Sequence, residues 1–142
     1  LERGAANIYE TMLSQYADES WAVPLKEMAS EETAHARLLY KAMQQCQEDL
    51  PAFEVLYSKV PADLIEGGFS RENIEAELAR LGGKPCVVVY ELALAIEYAA
   101  YDLYRTLAQR FREDSVSEVF LSIAQAEKRH LRRAAAALAK CL

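Results

Sequence analysis

Glycine and proline are scarce in this chain, at five and four residues, while alanine, leucine, glutamate, lysine, arginine and glutamine are plentiful. Few residues are left to interrupt helices, so a helical bundle is expected. Cysteine is limited to Cys46, Cys86 and Cys141, an odd count with no CxxC pair. Neither a zinc ribbon nor a disulfide scaffold is indicated, and the three read as unpaired packing thiols in a reducing cytoplasm. A basic excess is also missing: 16 Lys+Arg against 22 Asp+Glu leave a net charge of −6, the wrong sign for a generic nucleic-acid or anionic-membrane binder. The longest strictly apolar stretches, Cys86–Tyr90 and Ala134–Ala139, fall far short of the ~20 residues of a membrane span. Leu1–Tyr16 carries Glu2, Arg3 and Glu10 instead of the basic end and apolar run of a signal peptide. With 52% hydrophobic residues over 142 positions, one soluble globular domain spanning residues 1–142 is the expectation.

Four segments show helical periodicity. The third is the cleanest: Val87, Tyr90, Leu94, Glu97, Tyr101, Tyr104, Ala108 and Phe111 alternate steps of three and four, and one acid interrupts the stripe. The fourth reads Val116, Phe120, Ile123, Glu127, His130, Ala134 and Leu138, the second Leu25, Met28, Glu32, His35, Leu39 and Ala42, and the first Glu2, Ala5, Tyr9, Met12 and Tyr16. Pro85 suits a first helical turn, and Ser115 followed by Glu118 predicts a capping box. Two hairpins, 1–48 and 85–141, are therefore joined by a crossover over 49–84. There Pro51, Pro61, Gly67–Gly68 and Gly82–Gly83 break the pattern. Within it, Ser70 followed by Arg71–Leu81 predicts a short helix stopped by the Gly82–Gly83 pair, and Phe53, Leu56 and Leu64 are candidate anchors to the bundle.

The halves repeat. An offset of 95 residues pairs Glu2 with Glu97, Tyr9 with Tyr104, Ser20 with Ser115, Glu32 with Glu127, His35 with His130 and Arg37 with Arg132 without a gap. In each half a lone Glu precedes a Glu-x-x-His by the same 30 positions, and the midpoint lies beside the polar turn. An antiparallel hairpin thus sets its two glutamates at one height, and the i, i+3 spacing turns each histidine the same way as its partner glutamate. Four carboxylates facing one another in an apolar interior do not stay ionised unaided. Two divalent cations balance their charge, and nitrogen and oxygen ligation without thiolate suits iron or manganese better than structural zinc. Six protein ligands over two ions leave open coordination positions.

At these residues the chain resembles the ferritin-like di-iron carboxylate proteins, in the rubrerythrin-like branch, whose constellation is a Glu from each of two helices plus a Glu-x-x-His from each of the other two. The resemblance covers both hairpins. It implies an all-α four-helix bundle of two antiparallel hairpins joined by a long crossover that contains a short helix. It further implies Glu32 and Glu127 as bridging carboxylates, with Glu2 and His35 completing one metal and Glu97 and His130 the other. Tyr9 and Tyr104 resemble tyrosines that hydrogen-bond ligand carboxylates. Two features depart from the branch. Leu94 stands where rubrerythrins commonly carry a further metal-binding Glu, and without a CxxC the chain holds no Fe(Cys)₄ centre.

The function so implied is a non-haem di-iron oxidoreductase of peroxidase or oxidase type. It reduces hydrogen peroxide or activates oxygen at a Glu₄His₂ site holding two iron ions, with manganese or zinc as substitutes, and draws electrons from an external donor protein. The alternatives are a ferritin-like protein that oxidises and binds ferrous iron for iron homeostasis, and a di-iron hydroxylase. A cytoplasmic homodimer is expected, with neither nucleic acid nor membrane as partner. The third helix can begin near Pro85, well before Glu97, whereas one residue precedes Glu2; by symmetry, about 11 further residues of helix are expected upstream of Leu1.

Overall fold

The computed structural model of the chain describes residues 1–80 and 84–142. Its α-helices are α1 (Glu2–Gln15), α2 (Val23–Cys46), α3 (Phe53–Lys59), α4 (Arg71–Arg80), α5 (Pro85–Arg110) and α6 (Val116–Cys141). α1 folds back on α2 and α5 on α6, and the two hairpins meet chiefly where α2 lies against α6. The architecture is the all-α bundle of two hairpins expected from the periodicity. Pro24 and Pro85 sit in the first turns of α2 and α5, where a missing N–H costs nothing.

The core is apolar around a polar centre. Ile8, Met12, Leu25, Met28, Val89, Ile96 and Ile123 are fully buried, each contributing about 1.5–3 kcal/mol relative to exposure. That burial offsets the desolvation of six polar side chains carried in the same interior: Glu2, Glu32, His35, Glu97, Glu127 and His130. On α5 the buried stripe is rotated from the predicted seam. Tyr90, Glu97, Tyr104 and Ala108 are buried as expected, but Val89, Ala93, Ile96 and Ala100 join them while Phe111 is exposed. The reason is that α5 has two neighbours, α6 along its length and the crossover near Gly67, and so buries more than one narrow seam.

The crossover differs from expectation in three respects. It contains α3 as well as the predicted α4, because Phe53 is buried under the Tyr40 and Tyr57 rings and Arg37 lies over its face. Leu64 is exposed and its neighbour Ile65 is the buried anchor. Leu64 forms an isolated bridge to Ser70, and the extended backbone turns adjacent side chains to opposite sides. The glycine stop at Gly82–Gly83 lies outside the described residues. Gly4 on α1 lets the crossover pass close by, since a Cβ there would overlap the carbonyl oxygen of Leu64. Gly67, at φ 81°, takes a left-handed conformation that a side chain disfavours.

The capping box at Ser115 does not form. Ser115 precedes α6 with helical φ and ψ and no side-chain cap bond, and the Ser117 hydroxyl instead donates to the Ala108 carbonyl at 2.9 Å. A side-chain cap does form at α4, where Ser70 Oγ accepts the Asn73 N–H at 3.1 Å.

The cysteines correct the sequence reading. Cys86 and Cys141 form a disulfide across the open end of the second hairpin, and Cys46 is free and exposed. The antiparallel path brings the first turn of α5 beside the last turn of α6, with the two Cα atoms 5.7 Å apart. The unpaired thiols that supported a reducing compartment are thereby reduced to one. Among the described residues no helix is long and apolar enough to cross a membrane. The cross-link closes a loop of sequence separation 55, for which chain entropy gives a stabilisation of about 4 kcal/mol. Reduction, or Cys86→Ser, is expected to lower the thermal midpoint markedly in calorimetry; an unchanged midpoint would show that the link contributes nothing.

Candidate metal centre

The six polar side chains of the core come from one position on α1, two on α2, one on α5 and two on α6, and all six are at most 4% exposed. They form two overlapping groups, Glu2, Glu32, His35 and Glu127, and Glu32, Glu97, Glu127 and His130, within each of which the ligand atoms all lie within 4.8 Å of one another. Glu32 and Glu127 are common to both. Each of these two carboxylates divides its oxygens between the halves. Glu127 Oε1 is 2.9 Å from His35 Nδ1 and its Oε2 is 3.1 Å from His130 Nδ1. Glu32 Oε2 is 3.3 Å from His35 Nδ1 and its Oε1 is 3.4 Å from His130 Nδ1. The remaining carboxylates each serve one side, Glu2 Oε2 at 3.6 Å from His35 Nδ1 and Glu97 Oε2 at 2.9 Å from His130 Nδ1. The imidazoles stack with centroids 5.5 Å apart.

Two tyrosines cross between the halves. Tyr9 on α1 donates to Glu97 Oε1 on α5, and Tyr104 on α5 donates to Glu2 Oε1 on α1. The sequence placed each tyrosine on the face of its own lone Glu; the bundle directs each to the Glu of the other half. Each lone Glu thus gives one oxygen to a phenol and turns the other to the centre. Burial and the nearby Glu97 and Glu32 charges hold the Tyr9 phenol far above its ordinary range, so it remains a donor.

Protonation reflects the crowding. Burial, moderated by the nearby His35 imidazole and reinforced by the Glu32 charge, raises Glu2 to about 7, and burial raises Glu97 well above the carboxylate range. Glu127 goes the other way, to about 2, because the neighbouring His130 and His35 imidazoles, at ion-pair distance, outweigh its burial. Burial alone would lower both imidazoles, yet the surrounding carboxylates raise His35 to about 12 and His130 likewise upward.

The donor set fits divalent metal ions. Glu2 Oε2 and both oxygens of Glu127 are buried without a hydrogen-bond partner; the imidazole nitrogens lie within ion-pair distance of them but outside hydrogen-bond geometry. Orphaned lone pairs of this kind are costly in an interior, and a cation between them would satisfy all three. The donors are carboxylate oxygen and imidazole nitrogen with no thiolate, a set suited to iron or manganese.

Sequence reasoning missed Glu31 and Arg133. Arg133 is half-buried and pairs with Glu31 at 3.2 Å and Glu27 at 3.4 Å. Glu31 in turn accepts the outer Nε2–H of His130 at 2.5 Å. Burial raises Glu31, but the hydrogen bonds from His130 and Arg133 leave it below the usual range. The one available signal was the i, i+4 spacing of Glu27 and Glu31 beside the Glu32 motif.

A bundle of two hairpins with a buried Glu from each first helix and Glu-x-x-His from each second defines an all-α bundle of the ferritin-like class. Within that class, the rubrerythrin family model matches residues 89–141, the stretch of α5 and α6 that holds Glu97, Tyr104, Glu127 and His130. Comparisons with curated proteins and with solved structures find no match.

Proposed function

We propose that the chain is a di-iron redox protein of the rubrerythrin kind, in which Glu32 and Glu127 bridge two iron ions, Glu2 and His35 complete one position, and Glu97 and His130 complete the other. The observation that carries this reading is the division of the Glu32 and Glu127 oxygens between the two imidazoles. Iron held by Glu2, Glu32, His35, Glu97, Glu127 and His130 would supply electrons and Lewis acidity toward hydrogen peroxide or oxygen, with an external donor protein to restore the electrons. The chain's own part is to hold the donors and to exclude bulk water. Tyr9 and Tyr104 fix the rotation of Glu97 and Glu2, so the inward oxygens stay directed at the centre before any ligand arrives. Ile8, Met12, Met28, Ile96 and Ile123 are buried in the same interior as the polar cluster.

Two alternatives have different signatures. A ferritin-like iron-oxidising protein would use oxygen and take up iron beyond two ions per chain. A hydroxylase reading is favoured by an apolar cleft that reaches Glu2 and is lined by Leu39, Tyr40, Met43, Phe53 and Leu56, since such walls suit an apolar organic substrate. The test is anaerobic loading with Fe²⁺, then separate challenge with one equivalent of hydrogen peroxide and with oxygen. Two-electron reduction of H₂O₂ takes one electron from each of two ferrous ions and two protons, and yields two waters. The peroxidase reading expects two ions bound per chain, both oxidised by one equivalent of peroxide at least about tenfold faster than by oxygen. Faster oxidation by oxygen with further iron uptake overturns it in favour of iron oxidation, and failure to bind two ions overturns the di-iron site itself.

A further inference from the structure

The two halves of the molecule part company at one position beside their histidines. Glu31 of α2 accepts the Nε2–H of His130 at 2.5 Å and is braced by Arg133, which also reaches Glu27. At the repeat offset of 95 the counterpart of Glu31 is Ala126. A methyl group accepts no proton, and among the described residues the Nε2 of His35 makes no hydrogen bond or ion pair. His35 instead borders an open cleft lined by Ala34, Ser122, Gln125, Ala126 and Arg129, with Glu31 also on its wall. The symmetry that equates the inward faces of the two imidazoles therefore fails on their outward faces.

An imidazole whose Nε2–H is tied to a carboxylate is locked in ring orientation and in tautomer, and offers its Nδ1 lone pair inward with raised basicity. His130 is held this way and His35 is not. We infer that Glu31 is a positioning residue for His130 and makes the two metal positions unequal, the one on His130 preorganised and the one on His35 looser and nearer the cleft. This inference rests on the metal reading above. Glu31 touches neither metal position; it acts through the imidazole, and Arg133 keeps its carboxylate turned toward Nε2.

The test uses the full metal-free chain, Co²⁺ as probe, and two readouts. Titration resolves the two binding steps, with the histidine resonances shifted at each step assigning them to His130 or His35. Proton exchange at the imidazole nitrogens is followed by NMR before any metal is added. Glu31→Ala is expected to weaken the His130 step about 10–100-fold and leave the His35 step in place. Glu31→Gln, whose carbonyl oxygen accepts the same N–H, is expected to recover most of that loss. Ala126→Glu, which gives His35 a carboxylate of its own, is expected to tighten the looser step. In the metal-free protein the Nε2 proton of His130 should exchange slowly, lose that protection in Glu31→Ala and regain it in Glu31→Gln. Equal weakening of both steps by Glu31→Ala, no weakening of either, or a His130 Nε2 proton that exchanges as fast as that of His35 in the parent chain would overturn the inference. A parent chain that binds no Co²⁺ while keeping the protected proton refutes the metal reading and the inequality built on it, and leaves only the Glu31–His130 contact.

Discussion

Glu127→Ala protein is expected to retain neither metal ion in a titration where the parent chain takes up two. Glu127 gives one oxygen to each side of the centre, 2.9 Å from His35 Nδ1 and 3.1 Å from His130 Nδ1, so its removal strips a ligand from both positions at once. It also leaves Glu32 alone to bridge them. A lone-side substitution such as Glu2→Ala strips one position only and should spare the other. The same side chain supports the metal-free fold. Its drop from 4.5 to about 2 corresponds to about 3 kcal/mol of stability at neutral pH. Because the folded value is the lower one, that contribution is present above pH 4.5 and is lost as pH falls toward 2. Glu127→Ala should therefore unfold more readily than the parent at pH 7, and the difference should narrow by pH 3. Retention of one ion at parental affinity would refute the bridging role.

Metal uptake should release at least about two protons per chain at pH 7. His35, held at about 12, and His130, also raised, each carry a proton on the nitrogen that must bind metal, part of Glu2 is protonated as well, and burial raises Glu97 in the same direction. Apparent affinity for the pair of ions should consequently rise about a hundredfold or more per pH unit near neutrality. Calorimetric titration in buffers of different ionisation enthalpy counts the protons directly. The metal-free fold responds in the opposite sense. The folded value of Glu2 is raised from 4.5 to about 7, so its contribution is fully present below pH 4.5 and is lost as pH rises through 7, and Glu97 follows the same sign. The His35 contribution, fully present below 6.5, is lost only as pH rises through about 12. The thermal midpoint gained on loading should widen from pH 5 to pH 8. Release of fewer than one proton per bound ion would contradict this protonation scheme.

Much of the centre was legible because its determinants are local. Helical periodicity sets Glu32 and His35, and Glu127 and His130, on common faces, and the equal spacing of 30 within each hairpin brings the facing glutamates to one height. These relations follow from the rise per residue and the position of the turn, without knowledge of how the hairpins dock. The same reasoning pairs Cys86 with Cys141, whose midpoint also falls at the turn before Val116, but an odd cysteine count concealed it. The crossover was less legible. Short extended pieces such as Leu64–Ile65 choose which side chain to bury only after the bundle surface exists, and α3 is anchored by rings on other elements rather than by its own periodicity.

By itself, the sequence determined the four long helices, the doubled Glu and Glu-x-x-His constellation and the charge imbalance that calls for cations. Only the tertiary structure decided how the two hairpins are rotated against each other, and three features hang on that rotation. It splits the oxygens of Glu32 and Glu127 between the imidazoles, and it sends Tyr9 and Tyr104 across to the glutamates of the opposite half. It also sets Glu31 of α2 against His130 of α6, with Arg133 behind it. Each is a contact between hairpins, where about 30° of helix rotation moves a carboxylate by several ångströms. A repeat that predicts equal halves therefore does not reveal that one imidazole is clamped by a carboxylate while the other borders an open cleft.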